Sequence, residues 1–291
     1  MQNTLTAPMK TTLSHLPENK QEEIQRIAEI IREVVNPEMI ILFGSYAKGT
    51  YVEDRYRAKD GTVYEYVSDY DFLVVTKDNK EKVYDQESKI LDKVHRYKPP
   101  VNLEIREVDY INEGLEWGQY FFSDIVREGI ALYNTGKEQF VEPRVLDSEE
   151  ERKISQQYYD TWYKRGKGFI SGIDAYIANG EFNIGAFILH QAAESFYYTA
   201  LLVFTGYKPK THNLRKLRKQ TKNISEELFL VFPENNKSEE HLFELLRRGY
   251  VDARYKDDYS ITLEELTTLT ARLRKMQELV ERISKERIEN I

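Results

Sequence analysis

The spacing of hydrophobic residues differs between the two halves of the chain. In the first half, short apolar runs at residues 40–43 and 72–75 lie between stretches with helical spacing, a pattern typical of buried strands alternating with helices. After the proline-containing segment 141–148, every apolar stretch has helical spacing. The sequence therefore predicts an α+β fold: a mixed β-sheet with helices over residues 14–142, followed by an all-α antiparallel helical bundle over residues 148–288.

Helix boundaries are indicated by prolines, glycines and capping residues. Pro17 begins a helix that Asn36 and Pro37 end, a second helix covers residues 83–94, and a further helical stretch over residues 115–126 ends at Gly129. In the second half, the predicted helix starts rest on Asn183, on Ser238, and on a capping box formed by Thr262 and Glu265.

Candidate chemistry lies where the apolar runs meet polar residues. The run at residues 40–43 leads into Gly44 and Ser45, and Asp69 and Asp71 lead into the run at residues 72–75. If the two strands are neighbours, these groups meet at one end of a sheet, and Asp69 and Asp71 point to the same face. Two adjacent carboxylates repel unless a cation lies between them, and hard oxygen ligands at this spacing suit Mg²⁺. The sequence therefore predicts a magnesium and triphosphate site.

A third carboxylate follows on another predicted strand. In the segment 101–106, Glu104 alternates with apolar residues and projects from the polar face of the strand. Each of these features alone has an ordinary explanation, since a Gly-Ser pair is commonly a turn and a lone carboxylate is commonly solvated. Their combination, each beside a hydrophobic strand, favours a functional site.

The Gly-Ser corner followed by Asp-x-Asp at the start of a hydrophobic strand resembles the DNA polymerase β-type nucleotidyltransferases, in their small bacterial branch. The resemblance implies an NTP cradled by Gly44 and Ser45, metal held by Asp69 and Asp71, and Glu104 as the third catalytic carboxylate. Lys48 is a candidate for a positive charge near the leaving pyrophosphate, and an exposed loop lysine is the alternative.

The segment between Ser45 and Asp69 is longer than those nucleotidyltransferases usually have. Its excess, residues 51–67, contains Asp60-Gly61 between aromatic and β-branched flanks, which predicts a hairpin beside the site.

The second half resembles HEPN domains, through HQAAE at residues 190–194, THNL at residues 211–214 and LLRRGYVDARY at residues 245–255. The resemblance implies a helical bundle that commonly dimerises, so a homodimer through this domain is expected. Many HEPN ribonucleases carry an Arg-x4-6-His motif, but no histidine follows Arg247, Arg248 or Arg254 at that spacing, so ribonuclease activity is not expected. His190 is interpreted as a packing residue and His212 as a cap or turn residue.

Composition limits the partners. The formal net charge is −7, which argues against a surface built for long nucleic acid and still allows a small ligand. The nucleotidyltransferase resemblance implies that the partners are a nucleotide and a hydroxyl acceptor. No cysteine is present, which excludes disulfides and thiolate metal sites. Neither a membrane-spanning apolar stretch nor a signal peptide is indicated, so a cytoplasmic protein without membrane association is expected.

These observations predict a magnesium-dependent nucleotidyltransferase that moves a nucleoside monophosphate from ATP or GTP to a hydroxyl group. Two acceptors remain open. Aminoglycoside nucleotidyltransferases join a similar catalytic half to a helical domain, and the acidic composition suits a cationic antibiotic. In paired nucleotidyltransferase and HEPN proteins, which act as antitoxin and toxin, the nucleotidyltransferase adds AMP to a tyrosine of the HEPN protein. If this chain works in the same way, Tyr255 or Tyr259 is the candidate target. The third hypothesis is a non-catalytic module that binds nucleotide or dimerises.

Overall fold

The computed structural model describes residues 9–57, 63–78 and 81–291. The chain divides into two compact units between Val145 and Leu146. This division falls between the two predicted ranges, residues 14–142 and 148–288. Among the described residues, no helix has the length and apolar character needed to cross a membrane.

The first unit mixes helices and strands in the order that the apolar pattern indicates. Its elements are α1 (Glu18–Val35), β1 (Met39–Phe43), α2 (Gly44–Lys48), β2 (Glu53–Arg57), β3 (Val63–Val67), β4 (Tyr70–Thr76), α3 (Val83–Val94), β5 (Val101–Glu107), α4 (Val108–Glu116), α5 (Tyr120–Glu128) and β6 (Ile130–Asn134).

Four of these strands form a mixed sheet in the order β5-β4-β1-β6. β1 runs antiparallel to β4 and β6, whereas β4 and β5 are parallel. One face of the sheet packs apolar side chains against α1 and α3, and α4 and α5 contact β5 and β1. The outer strand β6 meets the main chain of Lys10, whose carbonyl accepts a hydrogen bond of 2.7 Å from the Ala131 amide.

The predicted helix after Pro17 is confirmed as α1, and Asn36 ends it in the left-handed conformation with φ 48°. The stretch predicted as helical over residues 115–126 is divided between two helices. α4 ends at Glu116 and α5 begins at Tyr120, because Gly118 adopts a φ of 71° that interrupts helical geometry.

β2 and β3 form a separate two-stranded antiparallel sheet, which confirms the predicted hairpin. Its predicted turn at Asp60-Gly61 lies outside the described residues. The start of β2 is fixed by the Glu53 carboxylate, which accepts hydrogen bonds from the Tyr46 hydroxyl at 2.7 Å and from Lys20 Nζ at 2.5 Å. Because Tyr46 follows Ser45 directly, the base of the hairpin is tied to the Gly-Ser corner.

The second unit is helical throughout its regular structure. Its elements are α6 (Ser148–Ser171), α7 (Ile173–Ala178), α8 (Phe182–Thr205), α9 (Leu214–Thr221), α10 (Glu226–Phe229), α11 (Lys237–Arg248), α12 (Asp252–Tyr255) and α13 (Leu263–Glu289). The helix α8 is apolar on most sides and packs against α6, α9 and α13. The core of this unit therefore surrounds α8.

Two of the predicted helix caps differ from the observed ones. The capping box of Thr262 and Glu265 is confirmed. Asn183 lies inside α8, where its amide donates to the Tyr259 carbonyl at 3.1 Å, and Ser238 lies inside α11, which Asn236 caps. Asn213, next to His212, caps α9. Both differences are shifts of two residues, a distance over which helix ends are hard to place from sequence.

Candidate active site

The Gly-Ser corner and the two aspartates lie at the same end of neighbouring strands. In the antiparallel pairing of β1 and β4, Phe43 lies opposite Asp71, so that Gly44 follows immediately beside it. In the parallel pairing of β4 and β5, Asp71 lies opposite Asn102. Three strand ends therefore bring Gly44, the Asp69–Asp71 pair and Asn102 to one place.

A single amide group joins the two aspartates. Nδ2 of Asn102 donates hydrogen bonds to Oδ2 of Asp69 and to Oδ1 of Asp71, both at 3.0 Å. An amide nitrogen carries two hydrogens, so one neutral side chain can donate to both carboxylates. All three side chains are partly exposed. Solvent and ligands can therefore reach the pair.

Gly44 is required by its contact with Asp71 and by its backbone. Its φ is 74°, which is the left-handed region, and a Cβ placed on it would lie 2.5 Å from Oδ2 of Asp71. Any other residue would push against the carboxylate and would strain the backbone. The glycine thus lets the main chain approach the aspartate closely.

Glu104 lies one step further along β5. It pairs with Leu73 in the sheet register, whereas Asn102 pairs with Asp71. The Glu104 side chain is 3% exposed and forms an ion pair with Arg106, whose guanidinium lies 5.7 Å from the centre of the Tyr110 ring. Within the described residues, no group of three or more carboxylates or imidazoles is arranged to hold a metal ion. The structure thus brings Asp69 and Asp71 together but does not gather Glu104 with them as a third ligand.

Ser45 and Lys48 belong to the short helix α2. The Ser45 carbonyl accepts hydrogen bonds from the amides of Gly49 and Thr50, which closes the turn. The Lys48 ammonium forms an ion pair with Glu128 of α5, and both side chains are about half exposed. The predicted phosphate-binding role of Lys48 would thus require it to exchange a carboxylate partner for a phosphate.

The group formed by Asp69, Asp71 and Asn102 fits a divalent cation. Carboxylate oxygens are hard donors of the kind that Mg²⁺ prefers, and two of them are held side by side. Rotation of the Asn102 amide plane would exchange its nitrogen and oxygen positions and would present an oxygen to a cation. The site therefore offers two negative charges and one neutral group.

A second polar group in the helical unit joins residues that are distant in the sequence. Glu194 of α8 is 6% exposed, and its Oε2 accepts a hydrogen bond of 2.8 Å from Nδ1 of the exposed His212. The Tyr250 ring stacks on His190 and on His212, with centroid distances of 5.1 and 4.7 Å. His212 thus binds a buried carboxylate, and neighbouring Asn213 supplies the cap.

His190 is a packing residue, as interpreted from the sequence. It is 1% exposed, and its Nδ1 donates to the Leu246 carbonyl at 3.1 Å. Burial lowers its pKa to about 4. The imidazole is therefore neutral in the folded protein at pH 7.

This lowered pKa predicts that acid destabilises the helical unit. The unfolded chain takes up a proton near pH 6.5 and the folded chain only near pH 4, so the stabilisation is present above pH 6.5 and is lost as the pH falls towards 4. At pH 5 the expected loss is about 2 kcal/mol. Denaturant unfolding of the full chain at pH 7.5 and pH 5 measures it. His190→Asn keeps an N–H donor and removes the titration, so equal losses in both proteins would contradict the prediction.

Two arginines at the end of α11 are engaged in ion pairs. Arg247 binds Glu244 at 2.7 Å, and Arg248 binds Asp252 at 2.6 Å. Each of these two guanidinium groups therefore already has a carboxylate partner. The two candidate tyrosines differ sharply: Tyr255 is 73% exposed, whereas Tyr259 is 2% exposed and donates its hydroxyl to the Leu245 carbonyl at 3.0 Å.

Comparison with known proteins agrees with this division. Residues 25–138 match the sequence model of the family described as polymerase beta, nucleotidyltransferase. No curated protein matches the chain. The first unit, with its mixed sheet and paired strand-end aspartates, is a nucleotidyltransferase domain of the polymerase β type.

The second unit completes the identification. Residues 159–283 match the HEPN domain family, in agreement with the helical architecture. The chain is a nucleotidyltransferase domain fused to a HEPN domain.

Proposed function

We propose that this chain is a magnesium-dependent nucleotidyltransferase that moves a nucleoside monophosphate from ATP or GTP to a hydroxyl group and releases pyrophosphate. The observation that carries the proposal is the pair of Asp69 and Asp71, joined by one amide beside Gly44. The match of residues 25–138 to the nucleotidyltransferase family supports nucleotidyl transfer as the general reaction.

Asp69 and Asp71 would hold the divalent cation. When bound, the cation supplies neutralisation of the triphosphate charge and stabilises the departing pyrophosphate. The two carboxylates would place it at the end of β4, a strand that is hydrogen-bonded to a neighbour on each side.

The corner after β1 would bind the nucleotide. Gly44 has no side chain, so main-chain N–H groups there can approach the β- and γ-phosphates, and the Ser45 hydroxyl can donate a further hydrogen bond. Lys48 is the candidate cation for the pyrophosphate, after exchange of Glu128. In the reaction, the acceptor oxygen bonds to the α-phosphorus, the bond from the α-phosphorus to the bridging oxygen breaks, and the hydroxyl proton passes to solvent.

A protein tyrosine is the acceptor that the geometry favours. The Tyr255 side chain is exposed, and its ring lies 4.8 Å from the Arg254 guanidinium, a cation suited to a transferred phosphate. Tyr259 has its hydroxyl buried in a hydrogen bond, which opposes its role as acceptor. A cationic small molecule such as an aminoglycoside is the second candidate, supported by the net charge of −7.

The direct test incubates the purified full chain with α-labelled ATP or GTP and magnesium. Pyrophosphate release and label on the protein are measured with and without a panel of aminoglycosides. Label on the protein supports the tyrosine acceptor, and label on an aminoglycoside supports the second candidate. Nucleotide that binds without turnover in every mixture would contradict the proposal and favour a non-catalytic module. Size-exclusion chromatography tests the proposed homodimer, and fractionation tests the proposed cytoplasmic location.

Tyr255→Phe is expected to abolish the label on the protein, because the variant lacks the only oxygen of that side chain. Tyr84→Phe is the matched control, since Tyr84 is also strongly exposed, at 78%. Mass spectrometry of the labelled peptide locates the modified residue. Label that persists in the Tyr255 variant at the level of the Tyr84 variant would exclude Tyr255 as the acceptor.

A further inference from the structure

In the register of the sheet, the residue beside the aspartates is uncharged. Asn102 lies opposite Asp71 and donates to both aspartates. The next residue on the same face of β5 is Glu104, and two strand residues correspond to about 6–7 Å. Glu104 is buried and paired with Arg106, so its charge is already compensated.

Asparagine stabilises the aspartate pair in a way that a carboxylate could not. Two neighbouring carboxylates repel each other, and the N–H groups of one amide satisfy one oxygen of each. An aspartate at this position would have no proton to donate at neutral pH and would add a third negative charge. The Asn102 amide thus bridges Asp69 and Asp71.

The presence of an asparagine in place of a carboxylate at position 102 has the opposite effect on cation binding, because it weakens it. A site with two carboxylates attracts a divalent cation less strongly than a site with three, because affinity rises with the charge of the ligands. A bound cation must also compete with the two hydrogen bonds from Asn102. The missing negative charge can come from the triphosphate, since Mg²⁺ takes part of its ligands from substrate phosphates.

We propose that Asn102 is a positioning residue that keeps the negative charge of the site lower than a third carboxylate would. The divalent cation then enters together with the nucleotide and is not held by the protein alone. This inference rests on the proposed function for the identity of the ligand. Its test measures cation binding without turnover, so it can fail independently of catalysis.

The experiment titrates the full chain with Mn²⁺ as the probe and measures free Mn²⁺ by electron paramagnetic resonance. Wild type is expected to bind Mn²⁺ weakly alone and more strongly with a non-hydrolysable NTP analogue. Asn102→Asp is expected to raise the affinity for Mn²⁺ without nucleotide by about tenfold or more. Glu104→Gln is expected to leave Mn²⁺ affinity unchanged.

Three outcomes would overturn the inference. These are an Asn102→Asp variant that folds but binds Mn²⁺ no more tightly than wild type, a Glu104→Gln variant that loses Mn²⁺ binding, and a wild type whose affinity the nucleotide analogue does not change. Equally poor Mn²⁺ binding by the Asp and Ala variants is a case of the first outcome, and it would mean that Asn102 acts in folding alone.

Asn102→Ala covers the case in which the Asp variant does not fold. The Ala variant loses two hydrogen bonds that offset the repulsion between the carboxylates, so its thermal midpoint in buffer without added cation is expected to fall below that of wild type. Saturating Mn²⁺ relieves the same repulsion and is expected to narrow the difference. A difference that Mn²⁺ leaves unchanged would contradict the inference.

Discussion

Asp71→Asn is expected to lower pyrophosphate release by on the order of 10³-fold or more while leaving the fold intact. The change preserves the shape of the side chain and removes one of the two negative charges beside Gly44. The remaining carboxylate of Asp69 cannot balance a divalent cation alone, so the triphosphate would lose its anchor. Steady-state pyrophosphate release, with thermal unfolding as the check on folding, measures the effect.

The matched control for this substitution is Asp78→Asn. Asp78 is exposed and follows the other end of β4, so the same chemical change is made far along the strand from the aspartate pair. This variant is expected to retain wild-type turnover. If Asp71→Asn retained turnover within tenfold of the control, the proposed role of the aspartate pair would have to be abandoned.

Gly44→Ala is expected to lower turnover by about 10²-fold or more, because displacement of a catalytic group by about 1 Å has effects of this size. The new Cβ would lie 2.5 Å from Oδ2 of Asp71, so the carboxylate must move. The left-handed φ of 74° adds a cost on the order of 1 kcal/mol to folding. Turnover and denaturant unfolding are measured on the same preparations.

Gly136→Ala separates these two effects. Gly136 has nearly the same φ, 75°, and a Cβ placed on it would meet nothing within 4 Å. Both variants therefore carry the backbone strain, and only the Gly44 variant disturbs a carboxylate. Equal losses of turnover in the two variants would mean that strain, and not the contact with Asp71, explains the effect.

The sequence predicted which strand ends would meet, but it could not give the register. The apolar runs before Gly44 and after Asp71 are strong signals for buried strands, and the structure pairs them. Asn102 and Glu104 are two residues apart and lie on the same face of β5, so side-chain periodicity cannot tell which one lies beside Asp71. That choice depends on hydrogen bonding between distant segments, which the local sequence does not reveal.

Two other features also could not be predicted from local sequence, because they depend on long-range packing or on the backbone conformation of one residue. Glu194 and His212 come together because α8 and the segment before α9 pack side by side, and neither local sequence indicates the other. The division of the 115–126 stretch depends on the conformation of Gly118, which a helical apolar pattern does not reveal. Long-range packing and single-residue backbone conformations thus account for most of what the sequence left open.

The main-chain contact of Lys10 with β6 has a consequence for solubility. An edge strand offers unsatisfied amide and carbonyl groups that a second molecule can pair with, which is a common route to aggregation. Because the Lys10 carbonyl takes up the Ala131 amide, the segment ahead of α1 shields part of that edge. Those few residues therefore help to keep the sheet from recruiting further chains.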